Sequence, residues 1–253
     1  MKINNSSFTL YFPENKNIRE NIFILEQHFV DFQHPFTLVT LPLDAPPEIP
    51  RILATTKNGH SRLTICGNSV QLMTRYDNDY IHSIKKCLNY TIDKIQKIIE
   101  YMPLITGVPE GIHKCYYSGL SMDLAYTKED GIENPIEYIK KIHIKDNISL
   151  QIDEMQYRLA LVIDSQYYVN IILQNQKTFN GVPDERGSLA GLEKKEDTLL
   201  VSLDINDRYA FNNTMSYSSS KESMMQLATI MEQFVENYLP AFINTGEIVY
   251  GTE

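Results

Sequence analysis

Leu63-Thr64-Ile65-Cys66-Gly67-Asn68-Ser69-Val70-Gln71-Leu72 is the stretch whose reading decides the fold class. Its two arms alternate apolar and polar residues around a Gly-Asn pair that suits a two-residue primed turn, so 62–76 is predicted to be a β-hairpin. The hairpin runs straight into a helix predicted over 79–102. Asp77, Asn78 and Asp79 supply capping side chains, and Ile81, Ile84, Leu88, Ile95, Ile98 and Met102 step along one face before Pro103 closes the run. The same order recurs later: a strand at 198–205, a polar loop, and a helix over 219–242. There Ser219 and Glu222 have capping-box spacing, and Leu227, Met231, Phe234, Val235, Tyr238 and Leu239 form an apolar stripe.

A helix with one apolar stripe must bury it against another layer. The pattern therefore predicts an α+β fold: a largely antiparallel curved sheet, or two related sheets, packed against long amphipathic helices. It divides the chain into an N-terminal strand–helix–hairpin–helix half, 1–110, and a β-rich half ending in a helix, 111–253, either distinct or fused as one continuous domain. The halves share their order of elements but negligible residue identity. Duplication and independent use of one strand-to-helix unit both remain open.

Between these anchors the reading is coarser. Strands are predicted at 8–12, 36–41 and 51–56, and a helix capped by Asn17 over 17–30. Four prolines, Pro42, Pro46, Pro47 and Pro50, make a stiff connector. The segment 114–127 reads as a long strand or a hairpin broken at Ser118-Gly119. Asn134-Pro135 opens a short helix over 135–142. Two long strands follow at 149–163 and 166–174, with Asp153 and Glu154 inside the first and Arg158 as a pairing cation. Polar, glycine-bearing loops are predicted at 180–197 and 206–218.

Composition narrows the function classes. A chain of 253 residues can bury a substantial core, and its net charge of −9 argues against non-specific nucleic-acid binding and anionic membranes. Lys85, Lys86, Lys94 and Lys97 share the first helix with Asp93 and Glu100, so they read as a solvated face. Three cysteines without a CxxC pair predict reduced thiols and a cytoplasmic protein, with neither a disulfide framework nor a zinc site. No segment approaches the ~20 apolar residues of a membrane span. Sixteen tyrosines and no tryptophan favour half-buried rims and interfaces.

No phosphate loop, dinucleotide fingerprint, nucleophile elbow or zinc-protease motif is present. The six histidines make no helical i,i+3 or i,i+4 pair, so no metal or cofactor is predicted. The candidate catalytic residues are Asp204 and Asp207, two carboxylates where a hydrophobic strand ends. Such a place suits a general base or a hard cation, but plain turn chemistry, in which Asp and Asn end the strand, is the favoured reading. Tyr209, Phe211 and Tyr217, with Met215, spot the following loop with aromatics and are the candidate interface residues. They could instead fold back over the sheet.

Pro46-Pro47-Glu48-Ile49, the hairpin–helix after it, and Leu199-Leu200-Val201-Ser202-Leu203-Asp204-Ile205-Asn206 before a terminal helix together resemble one group of proteins. It is a family of sporadically distributed, functionally uncharacterised bacterial proteins of about this length. The resemblance covers 46–102 and 198–245, and residues 1–45 lie ahead of the Pro-Pro element with which the family pattern starts. It transfers no catalytic residues; its sporadic distribution implies an accessory gene of the kind found near mobile elements or defence systems. The leading expectation is a non-enzymatic accessory or interaction protein with a protein partner or a second copy of itself. The alternatives are a metal-dependent hydrolase using Asp204 and Asp207, and a small-molecule binding module with its pocket between sheet and helices.

Overall fold

The hairpin forms as its sequence indicates: β4 (Ser61–Cys66) and β5 (Ser69–Arg75) pair antiparallel around Gly67-Asn68, with Ile65 opposite Val70 and Leu63 opposite Leu72. The computed structural model describes residues 1–42, 44–108, 115–144 and 151–250. In chain order the hairpin is preceded by β1 (Lys2–Tyr11), a 3-10 turn (Ile18–Asn21), α1 (Ile22–His28), β2 (Thr37–Leu38) and β3 (Pro50–Thr55). It is followed by α2 (Ile84–Glu100) and α3 (Met102–Thr106). The second half holds β6 (Tyr117–Tyr126), α4 (Pro135–His143), β7 (Gln156–Ile163), β8 (Tyr167–Asn180), β9 (Glu193–Asn206), α5 (Arg208–Asn213), α6 (Lys221–Gln233) and α7 (Leu239–Thr245). The fold is α+β.

The described strands make one continuous antiparallel sheet of nine strands, in the order β2-β3-β4-β5-β1-β6-β9-β8-β7. Leaving aside the two-residue β2, the order reads outward identically from the β1/β6 seam. On each side stands the half's first strand, then its last, its middle and its second. Each half runs strand, helix, three strands, helix. The seam is an antiparallel ladder with Phe8 opposite Leu120 and Leu10 opposite Ser118.

Helices α2, α4 and α6 cover one face. Side chains alternate across a strand, so every second residue faces them: Phe8 and Leu10, Leu120 and Met122, Val201 and Leu203 are all fully buried there. A bulge at the start of β1 changes the parity, which is how Ile3 and Ser6 both reach the same side. Ser6 meets α2 through a hydroxyl triangle, with Thr91 at 3.1 Å and Tyr76 at 2.7 Å, and Tyr76 closes it on Thr91 at 2.7 Å.

Several predicted boundaries move. α2 starts at Ile84 because Ser83, not Asp77 or Asp79, offers its hydroxyl to the Lys86 N–H. Asp77 instead folds a local turn by accepting from the Asp79 N–H at 3.0 Å. Pro103 opens α3, a tolerated place for a residue without an N–H, and Gly107 ends it in the left-handed region. Asn17 makes no capping bond, and the predicted helix over 17–30 is a 3-10 turn followed by the shorter α1. The segment from Tyr117 is one unbroken strand through Gly119, not a hairpin. The predicted polar loop at 180–197 stands over 181–192, but its ends are strand: Asn180 pairs with Glu193 and Lys177 with Asp197, so ladder bonding overrides polar composition there. Asp153 precedes β7 and pairs with Lys177 rather than Arg158. The last helix is capped by Ser220 and carries a π turn at Phe234–Tyr238 just before Pro240. Pro240 donates no bond and crowds the carbonyl four residues back, and the wider turn absorbs both effects. His113 and the first residues of the strand predicted at 149–163 lie outside the described residues.

Among the described residues no helix is long and apolar enough to cross a membrane.

Candidate functional site

The face of the sheet opposite α2 and α6 carries no described helix except α5, which stands at one end of it. There Phe211 packs against Tyr117 and Tyr209 meets Tyr168 edge-on at 5.3 Å. The centre of the face is polar by the same alternation that makes the other face apolar, while Met73 and Val162 are exposed farther out on it. Ser7, Thr9 and Tyr11 of β1 lie beside Tyr117, Gly119 and Ser121 of β6, and these beside Asp204 and Asn206 of β9. These side chains line a cleft of about 220 Å³ that opens onto the face, with Arg208 at its rim.

Three features shape the cleft. The rings of Tyr11 and Tyr117, paired across the seam, stack at 4.5 Å and form one wall. Arg208 lays its guanidinium over the Tyr117 ring at 5.3 Å, a cation–π contact that holds it at the rim. Gly119 forms the floor. A Cβ there would stand 3.1 Å from the Cβ of Asn206, so the close approach of β6 to β9 requires the missing side chain.

Asp204 and Asp207, predicted as a possible pair, do not share a site. Three residues apart on an extended chain they point to opposite faces. Asp204 faces the cleft, where its Oδ2 accepts from the Asn170 amide at 2.9 Å and the Asn206 amide at 2.8 Å. Burial pushes its carboxyl above the ordinary range, and these two bonds and the nearby Arg158 only partly oppose that.

Asp207 is fully buried on the helix side. It accepts from the Ser118 N–H at 2.6 Å, the Tyr217 hydroxyl at 2.8 Å, the Ser219 hydroxyl and, at 3.4 Å, the Ser118 hydroxyl. It thus ties the start of β6 to the segment leading into α6. Burial raises its carboxyl too, against the pull of those donors. Asp207 is a structural tie, and no step can use both carboxylates at once. Among the described residues no group of three His, Cys, Asp or Glu side chains is placed to hold a metal ion.

The candidate interface residues divide as well. Phe211 packs between Tyr116 and Tyr117, Tyr209 against Tyr168, and Tyr217 spends its hydroxyl on Asp207. All three are half-buried, while Met215 at the tip is 96% exposed. For Tyr209 and Phe211 the reason is α5, a helix inside what reads as loop, which turns them back onto the sheet; Tyr217 lies beyond it and turns to the helix side. Sequence reasoning missed Tyr11, Tyr117, Gly119, Asn170 and Arg208. Strand parity in β9, where Asp204 and Asn206 share the polar side, was the available signal; the β1/β6 seam that completes the cleft left none.

No family model and no curated protein matches the chain.

Proposed function

We propose that the protein is a non-enzymatic accessory and interaction protein that engages a protein partner through the open face of its sheet. One observation carries this reading: a nine-stranded sheet keeps one face free of any described helix except α5, and lines that face with polar and aromatic groups. An apolar uncovered face would demand a covering layer for stability. A polar one is stable in water and still offers a broad surface with a central cleft. The net charge of −9 favours partners other than nucleic acid, and three buried unpaired thiols suit a cytoplasmic setting. The resemblance of the Pro46-Pro47-Glu48-Ile49 and Leu199–Asn206 segments to a sporadic bacterial family supports a subunit of an accessory assembly, of the mobile-element or defence-associated kind.

The test is quantitative affinity capture from the native host with three forms of the chain. One is unmodified, one carries Arg62→Glu and Gln71→Arg on the open face, and one carries Asn89→Arg and Gln96→Arg on the exposed side of α2. Loss of the captured protein with the first pair alone supports the reading. Loss with the α2 pair alone, or with neither, defeats it.

A further inference from the structure

The cleft holds two opposite charges that do not meet. Asp204 lines it at one end, in the row of residues paired with Ser121, and Arg208 stands at the other, over Tyr117; the Gly119–Asn206 pair lies between. Neither charge makes an ion pair at contact distance among the described residues, and Arg158 acts on Asp204 only at longer range. Asp204 commits only Oδ2 to the two amides. Its Oδ1 accepts nothing and lies on the Gly119 side, 3.7 Å from where a Cβ would be. Arg208 spends its backbone N–H on the Asn206 side chain at 3.3 Å, and its guanidinium only on the Tyr117 ring.

We propose that this cleft binds a small zwitterion of the amino-acid class, its ammonium on Asp204 Oδ1 and its carboxylate on the Arg208 guanidinium. A ligand bearing only a cation would satisfy Asp204 and be repelled by Arg208, and a pure anion would meet the reverse. A molecule with both charges satisfies both and places its ammonium among the hydroxyls of Ser7, Thr9 and Ser121. The volume of about 220 Å³ suits one such molecule. The stacked Tyr11–Tyr117 wall gives its carbon skeleton an apolar contact. Partial burial of Asp204 strengthens its charge contact relative to open water, whereas Arg208 is exposed at the rim. The ligand site does not depend on whether a protein partner covers the rest of the face.

The experiment is isothermal titration calorimetry of the full chain at neutral pH with each of the twenty free L-amino acids. The best binder is then compared with its N-acetyl derivative and its C-terminal amide. Binding by at least one amino acid is expected, with each derivative weaker by about tenfold or more, because each loses one of the two charge contacts. Asp204→Asn and Arg208→Gln should each cost a similar factor, and Gly119→Val should fill the floor and abolish binding. Thermal melts establish that each variant is folded, and Ser121→Val replaces Gly119→Val if the latter fails to fold. The proposal is overturned if none of the twenty binds up to about 10 mM, a limit of roughly 3 kcal/mol. It is overturned equally if the amide or acetyl form binds as well as the parent amino acid, or if folded Asp204→Asn and Arg208→Gln leave affinity unchanged.

Discussion

Replacing Asp207 with alanine should destabilise the protein by about 3 kcal/mol, a figure built from what each donor loses. The Ser118 N–H, 2.6 Å from Asp207 Oδ1, is left buried without an acceptor, at a cost of ~1–3 kcal/mol. The hydroxyls fare better. Ser118 and Ser219 still bond each other at 2.8 Å, and Tyr217 keeps the Gln166 amide at 3.4 Å. Losing their charge-assisted bonds adds a further cost, which relief of the buried carboxylate's desolvation partly offsets. For a chain of this size each kcal/mol moves Tm by roughly 2–4 °C, so a fall of about 6–12 °C is expected alongside a lower urea midpoint.

The pH dependence carries a definite sign. Burial raises the folded carboxyl of Asp207 above its ordinary value of 3.8. The proton-linked part of its contribution to stability is therefore fully present below 3.8 and is lost as pH rises through the raised folded value, while the bonds it accepts persist. Asp207→Asn, which keeps the shape and removes the titration, should flatten that part of the stability profile. It should also cost about 1–2 kcal/mol, because its amide nitrogen faces donors. A folded Asp207→Ala within about 1 kcal/mol of the parent in urea titrations would refute the tie.

Three further outcomes follow from the core. Tyr76→Phe removes the hydroxyl shared by Ser6 and Thr91, which still hold each other at 3.1 Å, so denaturant titration should show a loss of only about 1 kcal/mol. Phe8→Ala empties a fully buried site beside the seam and should cost about 3–5 kcal/mol by the same titration; a loss below about 1 kcal/mol would place Phe8 outside the core. Burial pushes the thiols of Cys87 and Cys115 up to about 12, so a thiol reagent at mildly alkaline pH should modify them only as fast as the chain opens. Immediate labelling of both in native buffer would contradict their placement.

What could be read in the chain was local. The Gly67-Asn68 hairpin and the stripes of α2 and α6 depend on neighbours within a few residues, and they stand where the pattern puts them. The β1/β6 seam joins residues more than a hundred positions apart, and nothing in either strand names the other. Polar Lys194–Asp197 reads as loop, yet it pairs with β8 because a ladder needs backbone groups and tolerates any solvated side chain. At the site, strand parity alone separates Asp204 from Asp207, whereas the cleft needed the seam, and α5 had to turn the aromatics of Tyr209 and Phe211 inward.

The open face as a recognition surface is tested most directly by site-specific photocrosslinking in the native host. A photoreactive residue is placed at Gln71 on the open face of β5 or at Gln96 on the exposed side of α2. A discrete crosslinked partner from position 71 and none from position 96 is the expected result. Crosslinking from position 96 alone would place the partner on the helical layer and contradict the assignment of the open sheet face.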